Sequence, residues 1–328
     1  DKDVLSQLKE SIPDVTQQDL NRWREAGDLQ ARTIDGEHRY FRNAVGNLFR
    51  FNEDARNRRK TDAGSEKKFD LNSHIEKLVN LAESSESPEV FPVKHHVRYE
   101  LMVNKGNPRL KAGAKVRAWL PFPQEYRQQQ EVKLIRTDPP HKSLSKNGAP
   151  HRAIYFEKTV TNPDEPPRFV AEFEFVTSAY CPKLDPAKVR PYDTQSDVYQ
   201  QYTAERPPHI VFSPEVKRLA QEIVGSETNP LQKARRVFRW VSDNIPWCSE
   251  MEYSIIPNIP EKALKARRGD CGVQGLTFIT LCRAAGVPAR WQSGWQTKPG
   301  DWNMHDWSEF YVEPWGWLPA DASYGVRQ

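Results

Sequence analysis

The spacing of hydrophobic and polar positions changes twice along this chain of 328 residues. Residues 3–11 and 16–26 carry apolar side chains at helical spacing. The stretch from Gln30 to Phe41 instead alternates around Asp35-Gly36, a dipeptide typical of a two-residue hairpin turn. The sequence therefore predicts a small, mainly helical N-terminal domain with one hairpin over residues 1–60.

A charged stretch follows this domain. Residues 52–70 are nearly free of apolar side chains, which is typical of a linker or an exposed loop. Helical spacing returns briefly from Leu71 to Ala82. We therefore interpret residues 61–92 as a linker with one short helix.

From residue 94 to residue 176 the period becomes two, which is typical of half-buried strands. Phe169, Ala171, Phe173 and Phe175 alternate with polar residues and share one face of such a strand. Five or six short strands in succession, separated by Gly, Pro and Asn, predict an antiparallel β-sandwich over residues 93–180.

The last part of the chain, residues 181–328, mixes helices with strands. Ser213 followed by Pro214 is a helix start, and a second helix is predicted from Pro230 to Asn244. A third helical run follows Cys271, and two strand segments, HDWSEFYV and GWLPADASY, come after it. This pattern predicts an α+β domain.

The charge balance of the chain argues against some classes of binding partner. The chain has 48 basic and 44 acidic side chains, a net charge of +4, which is too even to direct it toward nucleic acid or an anionic membrane. The N-terminal order of helix, helix and hairpin resembles a winged-helix module. Its 12 basic and 11 acidic residues in the first 60 nevertheless favour a packing or interaction domain over a DNA reader.

No run of about 18 apolar residues is present, so no integral membrane segment is predicted. The sequence begins with Asp1 rather than Met, and we expect an exported protein, periplasmic or at the cell surface. The oligomeric state stays open.

The cysteines do not form a metal-binding pattern. All four are widely spaced and none belongs to a CxxC pair, so neither a zinc site nor a disulfide framework is indicated. We predict no metal and no cofactor. Three of the four are interpreted as small buried hydrophobic residues: Cys181, Cys248 and Cys282.

Cys271 differs from the other three because it stands where a helix begins. The unpaired N–H groups and partial positive charge of a helix N-terminus favour the thiolate form of a cysteine. The same N–H groups are placed to stabilise an oxyanion. Gly272 beside the thiol leaves room for a substrate carbonyl.

The two last strands supply the groups that a cysteine nucleophile needs. His305 and Asp321 lie eight residues before and eight residues after position 313, on the two arms of a predicted hairpin. Pairing of the arms brings them within one or two positions of register. The histidine would take the thiol proton and later protonate the leaving amine, and the aspartate would orient the imidazole.

The segments RRGDCGVQGLTFITLCRAAGVPARWQSGW, HDWSEFYV and WGWLPADAS together resemble the core of the transglutaminase-like superfamily, especially its bacterial members. The resemblance is dense over about 60 residues and extends upstream to about residue 205. It implies a papain-like core in which a helix bearing Cys271 packs on an antiparallel sheet bearing His305 and Asp321. For an additional oxyanion donor or a cleft lining we single out the aromatic residues Trp247, Tyr253 and Trp295.

A thiolate, an imidazole and a carboxylate perform acyl transfer from an amide. We expect a cysteine peptidase or amidase that hydrolyses a peptide, protein or small amide through a thioester. The alternatives are a transglutaminase, in which an amine replaces water, and a non-catalytic binding module that kept the fold. A peptide N-glycanase is disfavoured, because that resemblance calls for an upstream zinc-binding cysteine set. The two N-terminal regions are expected to position the substrate or dock a partner.

Overall fold

A computed structural model describes residues 2–60, 69–297 and 303–325 of the chain. It forms two compact units. One unit combines the N-terminal part up to residue 69 with the C-terminal part from residue 185 onward, and the other unit comprises residues 70–184. The two ends of the chain therefore build one body, and the predicted site lies within it.

The N-terminal part folds around a small apolar core. Thr16 and Asp19 form a reciprocal capping box at the start of its second helix, which fixes where that helix begins. Trp23 and Leu48 lie at the centre of the core with almost no exposed surface. The elements are α1 (Lys2–Ser11), α2 (Gln17–Glu25), the predicted hairpin of β1 (Ala31–Ile34) and β2 (Glu37–Tyr40), α3 (Ala44–Phe51) and α4 (Glu53–Arg58).

The charged stretch from residue 52 does not begin as a linker. Its first residues form α4, because the Asn52 side chain accepts a hydrogen bond from the Ala55 amide at 2.9 Å and Ala55 is fully buried. The expectation of a linker or loop is wrong for this segment, since one buried alanine among charges is too weak a signal to read as a helix. The remaining part of the expected linker, residues 61–68, lies outside the described residues.

Residues 70–184 form two antiparallel three-stranded sheets preceded by one helix. The face predicted from Phe169 to Phe175 is buried, and Phe173 meets Phe122, which directly follows the strand Lys115–Pro121 of the other sheet, with ring centroids 5.2 Å apart. The sheet orders are β3-β8-β5 and β4-β7-β6. The elements are α5 (Leu71–Ser84), β3 (Glu89–Met102), β4 (Lys115–Pro121), β5 (Gln129–Asp138), β6 (Ser143–Leu144), β7 (Ala153–Thr159) and β8 (Arg168–Tyr180).

The C-terminal part is the predicted α+β arrangement, in which the helix from Cys271 to Ala284 packs against an antiparallel sheet of order β11-β10-β9 and other helices pack against that helix. Its central helix is α10, where eleven of 14 residues are buried, as expected of a helix covered on all sides. The elements are α6 (Asp197–Thr203), α7 (Pro214–Val224), α8 (Pro230–Asn244), α9 (Ile259–Ala266), α10 (Cys271–Ala284), β9 (Ala289–Gln296), β10 (Asn303–Val312) and β11 (Gly316–Ala320).

Among the described residues, none of the helices has the length and apolar character needed to cross a bilayer.

Candidate active site

Cys271 is the first residue of α10, as the sequence predicts. Asp270 caps this helix by accepting a hydrogen bond from the Val273 amide at 3.1 Å. The Tyr253 hydroxyl donates to the same carboxylate oxygen at 2.6 Å. Burial raises the pKa of Asp270, although the bonds from Tyr253 and Val273 act in the opposite direction. The thiol therefore stands at a helix N-terminus whose cap is itself held in place.

Buried polar contacts fix α10 against the sheet. Gln274 is 2% exposed and donates to the Ile245 carbonyl at 2.7 Å, while its own amide oxygen accepts from Ser323 at 2.9 Å. Ser308 on β10 donates to the Gly275 carbonyl at 3.1 Å. These bonds link the turn that carries Cys271 to β10 and to the segment after β11, the two places that carry His305 and Asp321.

The hairpin places His305 and Asp321 in contact. Ser308 of β10 pairs with Ala320 of β11, so Asp321 comes just after the last paired residue. His305 Nε2 lies 2.5 Å from Asp321 Oδ2, and the two side chains are 14% and 26% exposed. Asp321 also accepts from the Ser323 amide at 3.1 Å, so it caps a turn and holds the imidazole at once.

The surroundings of the His305 imidazole favour its protonated, positively charged form. Burial by itself lowers the pKa of His305, but the hydrogen bonds to Asp321 and to the Cys271 thiol, together with their charges, raise it to about 10. Because Nε2 faces the carboxylate, Nδ1 is the nitrogen left for proton exchange with the thiol. The arrangement stabilises the imidazolium that His305 forms when it accepts a proton.

A second carboxyl group approaches the thiol, and the sequence reasoning missed it. Asp306 Oδ2 lies 3.9 Å from Cys271 Sγ. Burial raises the pKa of Asp306, and the Ser293 side chain and the charge of His305 partly offset that rise. A carboxyl group that keeps its proton to a higher pH repels a neighbouring thiolate less. The available signal for Asp306 was its position next to His305 in the sequence. Adjacent residues of a strand are expected on opposite faces of the sheet, so Asp306 was not predicted at the site.

Gly272 does not serve the role expected from the sequence. A Cβ atom at this position would lie 2.1 Å from the Tyr253 hydroxyl oxygen, so the tyrosine ring occupies the space beside the glycine. The missing side chain makes room for Tyr253 rather than for a substrate carbonyl. Gly272 therefore helps to form the wall of the site, since it allows Tyr253 to reach Asp270.

A cavity of about 890 Å³ opens over these groups. Cys271 and His305 line it together with two of the aromatic residues predicted from sequence, Trp247 and Tyr253. Trp295 is not among the described residues that line it; it lies on β9, paired with Met304 of β10. Asp306, Asp270 and Arg50 also line the cavity, and the sequence reasoning named none of them as site residues.

The other three cysteines are free and stand apart from the cavity lining. Cys248 and Cys282 are buried, as predicted, and Cys181 is half-buried. Burial raises the pKa of Cys181, raises that of Cys248 to about 11 and raises that of Cys282 well above its ordinary value. No group of three or more metal-binding side chains is found in the part of the chain that the structure describes.

Comparison with known proteins gives one family and several relatives. Residues 217–322 match the family model described as the transglutaminase-like superfamily. An uncharacterised protein of Haemophilus influenzae is 30% identical in an alignment over 160 residues, and the match covers 40% of this chain and 42% of that protein. A peptide-N(4)-(N-acetyl-beta-glucosaminyl)asparagine amidase of Gallus gallus is 36% identical over 94 residues, 27% of this chain and 13% of that protein. The chain spans less than half the length of these curated relatives.

Solved structures of other proteins are similar in fold. The crystal structure of a "Putative Cysteine Protease" from Cytophaga hutchinsonii has a TM-score of 0.54 and 17% sequence identity. The similarity covers 73% of this chain and 79% of that one. At this identity the likeness concerns the fold, and it extends well beyond the segment that the family model matches.

Proposed function

Because residues 217–322 match the family model of the transglutaminase-like superfamily, we propose that the chain is a cysteine peptidase or amidase with Cys271 as nucleophile, His305 as acid and base, and Asp321 as orienting carboxylate. The observation that carries the proposal is the 2.5 Å contact between His305 Nε2 and Asp321 Oδ2, beside a cavity that His305 and Cys271 line together.

The first step forms a thioester. His305 Nδ1 accepts the thiol proton, and the thiolate attacks the carbonyl carbon of the substrate amide. The carbonyl oxygen becomes an oxyanion beside the N-terminal amides of α10, where the partial positive charge of the helix end stabilises it. When the C–N bond breaks, the imidazolium returns its proton to the leaving amine.

The second step regenerates the enzyme. His305 removes a proton from water, the resulting hydroxide attacks the thioester carbonyl, and the C–S bond breaks to release a carboxylic acid. The thiolate recovers the imidazolium as its partner. Asp321 keeps its negative charge throughout and stabilises the imidazolium at each stage.

Tyr253 supports the site from the wall of the cavity. Its hydroxyl donates to Asp270, so in this arrangement it orients the helix cap rather than offering a free donor to an oxyanion. Trp247 lines the same cavity and offers an apolar surface to substrate. The relative named as an asparagine amidase supports an amide as the bond class.

Replacement of Cys271 tests the proposal. We expect Cys271→Ala to abolish cleavage of peptides in a mixed peptide library, read by mass spectrometry, while its circular dichroism stays that of the wild type. Cys181→Ala is the matched control, because this cysteine is half-buried in the other unit, and it should keep wild-type activity. Full activity of Cys271→Ala would refute the assignment.

The same assay identifies the acyl acceptor. A fluorescent primary amine is added to the library, and the products are compared with those formed in water alone. Hydrolysis predicts cleaved peptides and little amine incorporation. Predominant amine incorporation would instead assign the transglutaminase alternative, with the same three residues in the same roles.

A further inference from the structure

The N-terminal helical part packs directly on the segment that walls the cavity. Asn47 on α3 is fully buried, and its side-chain amide group donates to the Ser249 carbonyl and accepts from the Ser249 amide, both at 2.9 Å. This reciprocal pair joins residues about 200 positions apart in sequence. It fixes α3 against residues 247–251, and Arg50, one turn further along α3, therefore has a defined position.

Arg50 uses that position to reach the cavity. Its guanidinium carbon lies 4.3 Å from the centroid of the Trp247 ring, and both side chains line the cavity with Cys271. Stacking on an indole holds a guanidinium group in place while leaving its edge N–H groups available. None of the described residues accepts a hydrogen bond from those N–H groups.

Most of the neighbouring acidic groups already have partners. Glu250 is paired with Lys262 and is 3% exposed, and Asp270 is bonded to Tyr253. Asp306 lies beside the thiol and the Ser293 side chain. Glu252 is the exposed carboxylate that remains on this wall. The cavity thus presents the guanidinium group of Arg50, which has N–H groups available, among carboxylates that mostly have partners already.

The residue on which Arg50 stacks, Trp247, stands close to Cys271. Trp247 forms a parallel bridge with Gly269, and the Cys248 amide donates to the Gly269 carbonyl at 3.0 Å. Paired backbones lie about 5 Å apart, and two residues of chain span at most about 7 Å. The Cα atom of Trp247 is therefore within about 12 Å of that of Cys271. An extended peptide covers this distance in about four residues.

We propose that Arg50 is a specificity-determining residue that binds a carboxylate of the substrate within about four residues of the scissile amide. A guanidinium edge and a carboxylate match in geometry and form two parallel charge-assisted hydrogen bonds. The proposal rests on Cys271 being the nucleophile of the proposed function. It assigns the N-terminal helical part a direct contact with substrate.

The test uses affinity labels rather than turnover. Chloroacetyl peptides alkylate a cysteine thiolate with loss of chloride, so the rate of Cys271 labelling reports how well the attached peptide binds. One series places an amide-capped Glu one to four residues from the chloroacetyl group, against matched peptides with Gln. A second series carries a free C-terminal carboxylate, against C-terminal amides. Each rate is divided by the same variant's rate with iodoacetamide.

In the wild type we expect at least one spacing at which the carboxylate label reacts about threefold to tenfold faster than its neutral match. The series in which this occurs shows whether the carboxylate is that of a side chain or of a chain terminus. In Arg50→Gln the ratio should fall to one or below, because Glu252 remains. Arg50→Lys should be intermediate, and Arg42→Gln, an exposed arginine of the same part outside the cavity lining, should match the wild type.

A ratio of one or below at every spacing in the wild type would overturn the proposal, as would an unchanged ratio in Arg50→Gln. If iodoacetamide itself fails to label Cys271, the proposed function fails, and the binding role of Arg50 fails with it. If iodoacetamide labels normally and no preference depends on Arg50, this inference fails by itself.

Discussion

Replacement of Asp321 by Asn tests the electrostatics of the site quantitatively. The side chain keeps its shape but loses its charge, and His305 stays buried. The pKa of His305 is raised from the ordinary histidine value of 6.5 to about 10. At about 1.4 kcal/mol for each pH unit, this shift stabilises the imidazolium by about 5 kcal/mol. Asp321 and Cys271 share this stabilisation, and burial opposes it.

The loss should appear as a pH-dependent destabilisation. The folded-state pKa of His305 is raised, so its contribution to the free energy of unfolding is complete below about pH 6.5 and is lost as the pH rises through about 10. In Asp321→Asn much of this contribution is missing. We expect the free energy of unfolding of the variant to be about 2–4 kcal/mol lower than that of the wild type at pH 6. This difference between the two proteins should shrink toward pH 10.

Two measurements check the expectation. Urea unfolding of both proteins at pH 6 and pH 10 gives the stability difference, with Asp164→Asn, an exposed aspartate of the other unit, as the control. An NMR titration of the imidazole, identified by its absence in His305→Ala, should show the pKa of His305 falling toward 6.5 or below. An equal destabilisation at both pH values, or an unmoved pKa, would refute the reasoning.

Three further substitutions test the wall of the site. Gly272→Ala should destabilise the protein by about 1–3 kcal/mol in urea unfolding, because its Cβ would lie 2.1 Å from the Tyr253 hydroxyl oxygen; wild-type stability would contradict that packing. Tyr253→Phe should cost about 1 kcal/mol by the same measurement, since Asp270 loses a donor, and a stabilised variant would argue against the bond. Asn47→Ala should lower the free energy of unfolding by about 2–4 kcal/mol, because the backbone carbonyl and amide of Ser249 lose their hydrogen-bond partner. A loss below about 0.5 kcal/mol would show that α3 is not held there.

The positions of Cys271, His305 and Asp321 in the fold follow from local sequence. Cys271 at a helix start depends on the capping residue before it and the apolar run after it, both neighbours in sequence. His305 and Asp321 belong to one hairpin, so counting outward from its turn was enough to bring them near each other. The strands of residues 89–180 also follow from alternation, which is strong where one face is buried.

The rest depends on contacts between distant segments, which leave no periodic trace. Arg50 and Asn47 meet residues 247–249 across about 200 positions, and α3 itself was not predicted. Gly272 was interpreted as leaving room for a substrate carbonyl, but Tyr253, which arrives from a different segment, occupies that space. Trp295 was chosen for its residue type, although the position of a strand residue relative to the cavity is set by packing.

The most direct test of the account is labelling of Cys271 by iodoacetamide as a function of pH, resolved from the other cysteines by peptide mass spectrometry. Burial raises the pKa of the other three thiols, so they should react slowly below pH 8. The account predicts that Cys271 is labelled rapidly at pH 6, and that His305→Ala slows this labelling at least about tenfold. Labelling at pH 6 that is no faster than that of Cys181, or that is indifferent to His305, would contradict it.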